Sequence, residues 1–289
     1  TFIIDGIGFD FWPISWERME RIANHDERIT AIITEGKILY YGNDTDLARF
    51  NALKEKALNT SDFRKFKNKA RNVLANAYRP YFELEKSMDL TSARKHALGI
   101  TFAVTNAIAL INCDTVKRGR GKLKAELLAM SHVPVGFARH YDVLFESNDP
   151  VAIKKAAKQL ILETDRLIDQ VGQAYDQDHP ENVCEKLAGF YEELINFYNK
   201  IEHGIAVKDF VTVFYAANEI VMELEDVFSG TGVSLTDLPD IVGLFDLSDM
   251  EAYGTLVKKH QKLLEALLEE NGVEIQVYQD FEGLKRVVG

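Results

Sequence analysis

The triplet Phe9-Asp10-Phe11 puts a carboxylate at the centre of an apolar run, just ahead of Trp12, Pro13 and Ser15. Burying a carboxylate there is costly unless a cation or hydrogen bonds satisfy it. Magnesium accepts hard oxygen ligands, so Asp10 is a metal-binding candidate on a rigid strand. The plainer reading is a strand-end aspartate satisfied by turn amides or solvent. A second group is Lys117, Arg118, Arg120, Lys122 and Lys124, which crowd one short segment of a chain whose net charge is −11. Gly119 and Gly121 keep this backbone open, and the segment precedes a helix whose N-terminal amides favour anions. Phosphate contact and a solvated loop are both compatible with that pattern. A third group is the acidic helix end Tyr81-Phe82-Glu83-Leu84-Glu85, where Glu83 either faces a cleft or pairs with Lys86 on the surface.

The elements that must carry these residues divide the chain sharply. Residues 1–42 hold the strand signals: Phe2–Ile7 and Gly8–Ile14 joined at Gly6, then Ile29–Thr34 and Lys37–Tyr41 joined at Glu35-Gly36. Trp16, Met19 and Ile22 recur at a helical interval between the two hairpins. From Asp44 onward nearly everything is helical. Asp44 or Asp46 caps a helix to about Leu58, Ser61 or Asp62 caps the next, and Asp89 or Thr91 opens a long apolar helix to about Asn112. Pro80 predicts a kink or break near Arg79. Further helices are expected at 121–131, 134–146, 150–176, 181–203, 207–228, 234–245 and 249–271, with breaks at Gly230, Gly232 and Gly272 and a short strand at Val273–Tyr278. The fold class is α+β, mostly α: a few strands (1–43) followed by a large helical bundle (44–289), with a possible subdivision near 147–150.

Length and composition narrow the function classes. With 289 residues the chain can hold two domains, since one core seldom grows much past roughly 250 residues. The acidic balance argues against nucleic acid or an anionic membrane as partner. Cys113 and Cys184 lack metal-site spacing and are expected to stay reduced. No pair among the seven histidines has ligand spacing. The most apolar run, Ile100–Ile111, is too short and too polar to span a bilayer, and Asp5 and Asp10 interrupt the N-terminal apolar stretch. A cytoplasmic protein is the expectation.

The run Ile7-Gly8-Phe9-Asp10-Phe11-Trp12-Pro13-Ile14-Ser15-Trp16-Glu17-Arg18 resembles the last active-site strand of nucleotidyltransferases of the polymerase-β superfamily. It is closest to the branch that includes the aminoglycoside nucleotidyltransferases. The following Ile33-Thr34-Glu35-Gly36-Lys37-Ile38-Leu39-Tyr40 is similar to the strand that closes the catalytic domain there. The resemblance implies transfer of a nucleoside monophosphate from an NTP, with Mg2+, to a hydroxyl of a small molecule. It places the third catalytic carboxylate and metal ligand at Asp10, with Asp5 a weaker second choice. Leu110-Ile111-Asn112 and Lys117-Arg118-Gly119 are similar to a pattern in such relatives, giving Asn112, Lys117 and Arg118 as nucleotide-binding residues. Glu83 takes the role of the base that the helical domain lends to the acceptor hydroxyl.

The family's Gly-Ser turn followed by paired carboxylates has no credible copy in the chain. Asp44-Thr45-Asp46 has the spacing but reads as helix capping. That motif is therefore expected upstream of Thr1, or else the chain is a degenerate relative. Two other classes remain in view: an inert or antitoxin-like helical interaction protein, and an enzyme that nucleotidylates a protein side chain. A homodimer that completes the cleft is also possible.

Overall fold

A computed structural model describes residues 1–278 and 280. Its elements are β1 (Phe2–Ile4), β2 (Ile7–Phe9), α1 (Trp16–Ala23), α2 (Ala31–Thr34), α3 (Asp44–Leu58), α4 (Phe63–Ala75), α5 (Tyr78–Lys86) and α6 (Leu90–Ile111). A 3-10 turn (Arg120–Lys122) then leads to α7 (Leu123–Leu128), α8 (Phe137–Glu146) and α9 (Pro150–Asp178). The remaining helices are α10 (Val183–Leu187), α11 (Phe190–Val207), α12 (Phe210–Phe228) and α13 (Met250–Glu270). The chain is thus mostly helical, with one two-stranded antiparallel sheet among the described residues.

The sheet follows from its turn. Asp5 and Gly6 take positive φ of 48° and 77°, the two-residue type I′ geometry that an Asp-Gly pair favours. This sets the register Phe2↔Phe9, Ile3↔Gly8 and Ile4↔Ile7. Phe2 stacks on Phe9 at 5.4 Å between ring centroids, and on Phe11 at 5.6 Å. Every strand residue is nonetheless exposed. The strands are shorter than expected, and Asp10 falls just past the end of β2 rather than within it.

The second expected hairpin does not form. Ile29–Thr34 becomes a turn and the single helical turn α2, and residues 37–41 have no regular structure. Burial decides this. Ile33 is fully buried and Ile29 partly so, in a cluster with Ile22, Leu53 and Ala57. A helical turn sets residues four apart about 6 Å from each other along one face, where a strand would spread them about 13 Å. The Thr30 hydroxyl donates to the Ile22 carbonyl at 3.0 Å and fixes the entry. Gly36 serves this packing instead of a hairpin turn, because a Cβ there would lie 2.1 Å from the Ile32 carbonyl oxygen.

The chain forms two compact units, residues 1–172 and 173–289, with the division inside α9. In the first unit α6 is central, and its residues from Ala103 to Ile111 are all buried. Each large apolar side chain so buried contributes about 1.5–3 kcal/mol. Thr101 and Thr105 are buried on the same helix, and their hydroxyls donate to the carbonyls of Ala97 and Thr101 at 2.9 and 2.7 Å. Asp89 caps this helix, its carboxylate accepting from the Ser92 amide at 2.9 Å. The cap of α3 is Asn43, not Asp44 or Asp46, and Asp62 caps α4. Pro80 lies in the first turn of α5, where its missing N–H leaves no intrahelical bond broken, and the break precedes it at Asn76-Ala77.

In the second unit α11, α12 and α13 surround Leu194, Tyr198, Ile201, Ile220, Val257 and Leu264. The helix expected at 181–203 splits at Gly189, whose φ is 77°. Residues 234–245 form turns, and Val273–Tyr278 has no regular structure. The helical domain expected to reach residue 289 runs beyond the described residues.

Candidate functional site

Asp10 is exposed and accepts a hydrogen bond from the Thr1 hydroxyl at 2.6 Å. Asp5 lies in the turn before it, at the first of the two positive-φ positions. Among the described residues no three His, Cys, Asp or Glu side chains come together as metal ligands. A two-metal site needs several convergent carboxylates, so Asp10 by itself does not fit the Mg2+ that the resemblance implies.

The residues expected to contact nucleotide separate into two kinds. Asn112 is a structural tie at the end of α6. Its amide donates to the Ile108 and His132 carbonyls at 2.8 and 2.7 Å and accepts from the His132 amide at 2.8 Å. The backbone of the basic segment is also engaged. The Lys117 and Arg118 amides donate to the two carboxylate oxygens of Glu126 at 2.6 and 2.9 Å. An internal carboxylate thereby takes the amides that a phosphate would use. The Lys117 ammonium lies 2.9 Å from Asp114, whose hydrogen bond raises the lysine pKa. Arg118 is different, since its side chain lines an open concavity and has no carboxylate partner among the described residues.

That concavity, of about 210 Å3, is walled by Arg28, Ile29, Thr105, Val116, Arg118 and Arg120. Arg28 comes from the turn between α1 and α2, and Arg120 from the 3-10 turn after the basic loop. The guanidinium carbons of Arg28 and Arg120 lie 4.0 and 5.4 Å from the centroid of the Phe102 ring on α6. Stacking on an aromatic face is favourable for guanidinium. Two like charges on one ring oppose each other, however, and the Arg28 pKa is lowered by burial and then by Arg120. The neighbouring Glu27 cannot neutralise Arg28, because it holds Arg18 at 3.0 Å and Arg21 at 3.3 Å. Arg28, Arg118 and Arg120 are three cations converging on one hollow without a carboxylate among the described residues. This arrangement is suited to an anion with several oxygens.

Sequence reasoning missed Arg28. It stands in an ordinary mixed-charge stretch, His25-Asp26-Glu27-Arg28, and meets the basic loop only through tertiary packing against α6.

A second concavity, of about 460 Å3, adjoins the first, shares Arg120 and Leu123 with it, and is lined by Phe102. Its far side carries Tyr141, Phe145 and Glu146 from α8. Glu83 belongs to neither hollow. It pairs with Lys86 at 3.0 Å, and that hydrogen bond holds its carboxyl below the usual range. The other charges acting on it are His96 and Arg79.

Comparison of the chain with protein-family models, with curated proteins and with solved structures finds no match. No helix among the described residues is long and apolar enough to cross a membrane.

Proposed function

We propose that the chain is the phosphate-binding, largely helical part of a nucleotidyltransferase that moves a nucleoside monophosphate from an NTP to a hydroxyl of a small molecule. One observation carries the reading: Arg28, Arg118 and Arg120 surround a hollow beside Phe102 with no carboxylate partner among the described residues. In such a transfer the acceptor oxygen bonds to the α-phosphorus as the bond from that phosphorus to the bridging oxygen breaks. Pyrophosphate departs with the electron pair, and the hydroxyl proton passes to a base. Charge accumulates on the departing phosphates, and fixed guanidinium groups stabilise it where water would have to reorganise.

Asp10, just past the end of β2, remains the proposed carboxylate, able to give Mg2+ one oxygen but not by itself to hold it. No metal-dependent step is assigned within the described residues. Glu83 as the acceptor base draws no support from its pairing with Lys86. A cationic acceptor suits a chain of net charge −11, which would attract it from solution.

Isothermal titration with inorganic tripolyphosphate tests the arginine hollow directly. Arg28→Glu and Arg120→Glu should each weaken binding roughly tenfold or more, because each removes a charged hydrogen-bonding partner. Affinity unchanged in both variants would refute the reading.

A further inference from the structure

We propose that the adjoining hollow takes a guanine base, so that the nucleotide held by the arginines is a guanosine phosphate. This rests on the phosphate-binding reading above. The two concavities share Arg120 and Leu123, so a ligand whose anionic end lies at Arg28 and Arg118 extends past Arg120 into the second one. That second hollow, of about 460 Å3, is within the size range of small-molecule sites. Its walls offer flat apolar surface: the Phe102 ring, and the Tyr141 and Phe145 rings, whose centroids are 4.8 Å apart. Stacking on such rings holds any base and selects none.

Selection must come from the polar groups, and most of these are already engaged. The Thr101 hydroxyl donates to the Ala97 carbonyl at 2.9 Å. Asp142 is held by Lys124 at 2.5 Å. Glu146 has no partner among the described residues and lines the hollow with two acceptor oxygens. The Tyr141 phenol also lacks a partner among the described residues, and burial keeps it protonated as an O–H donor.

A free carboxylate beside a phenol asks for two adjacent donors next to one acceptor. Guanine presents that order on one edge, with N2–H and N1–H followed by O6. Adenine and cytosine each place a ring-nitrogen acceptor next to their amino group, which would set a lone pair against the carboxylate. Uracil has a single N–H between two carbonyls and leaves one carboxylate oxygen unmatched. A site that pairs with a hydrogen-bonding edge rejects analogues lacking it, because its own polar groups are then left unpaired.

The test is titration of the chain with GTP, ATP and inorganic tripolyphosphate, repeated for Glu146→Gln and Arg28→Glu. Glu146 is exposed, so its replacement leaves the core intact, and the melting temperature checks this. GTP should bind roughly tenfold or more tighter than ATP, and Glu146→Gln should abolish that preference while leaving tripolyphosphate affinity unchanged. Equal affinities for GTP and ATP in the parent chain, with tripolyphosphate still bound and still lost in Arg28→Glu, would overturn the guanine assignment alone. Absence of tripolyphosphate and nucleotide binding would overturn the phosphate reading together with it.

Discussion

Asn112 and Arg118 look alike as prospects in the sequence, since both are polar residues of types that touch phosphate. Their fates differ because Asn112 is needed to close α6. Its side chain joins the Ile108 carbonyl to the backbone of His132, at distances of 2.7–2.8 Å. Replacing it with alanine leaves three backbone groups without those partners, in part-exposed surroundings where water partly substitutes. Asn112→Ala should therefore cost about 1–2 kcal/mol of unfolding free energy and leave tripolyphosphate affinity unchanged. Urea unfolding and the same titration check both halves, and a lost affinity with stability intact would return Asn112 to the binding surface. The type of Arg118 made it a candidate in the sequence. Its freedom depends on Asp114 lying beside Lys117 and on Glu126 holding the loop backbone.

At the scale of elements, long periodic segments were legible and short apolar ones were not. Asp44–Leu58, Leu90–Ile111 and Met250–Glu270 lie within a residue or two of their expected limits, since a helical stripe repeated over several turns leaves little ambiguity. Ile29–Thr34 and Lys37–Tyr41 have strand composition, yet burial of Ile33 against α3 overrides it. The same packing logic controls α11 and α12. A Cβ at Gly204 would lie 2.7 Å from Val213 Cγ2 and 3.0 Å from the Asp209 carbonyl oxygen. Gly204→Ala should destabilise the chain by about 1–2 kcal/mol, the cost of overpacking exceeding the gain in helix propensity. A urea midpoint that rises in this variant would show that the helices part to admit the methyl group.

At the scale of the whole molecule, each unit encloses a buried histidine. His25 has its Nε2 at 2.9 Å from the Ala57 carbonyl oxygen, and His260 has its Nδ1 at 2.8 Å from the Tyr198 hydroxyl. Burial lowers both pKa values, that of His260 to about 4 from an ordinary 6.5. The unfolded chain therefore takes up protons at a higher pH than the folded one. The resulting stability is complete above pH 6.5 and is lost as pH falls from there towards 4. For His260 the total is on the order of 3 kcal/mol, with about 2 kcal/mol of it lost between pH 7 and pH 5. Urea midpoints followed by circular dichroism at those two pH values should show the loss, and His260→Gln should diminish it. An equal loss in the variant would remove His260 from the account. The sequence by itself determined the helical character, the Asp-Gly hairpin, the long-helix limits and the concentration of cations at 117–124. Each of those is written in local spacing or in residue type. Only the tertiary structure decided that residues 29–41 abandon β structure, and that Arg28 joins Arg118 and Arg120 at Phe102 while Asn112 and Lys117 are taken up by the fold. Those outcomes depend on which groups residues far apart in the chain bring together, and no local pattern encodes that.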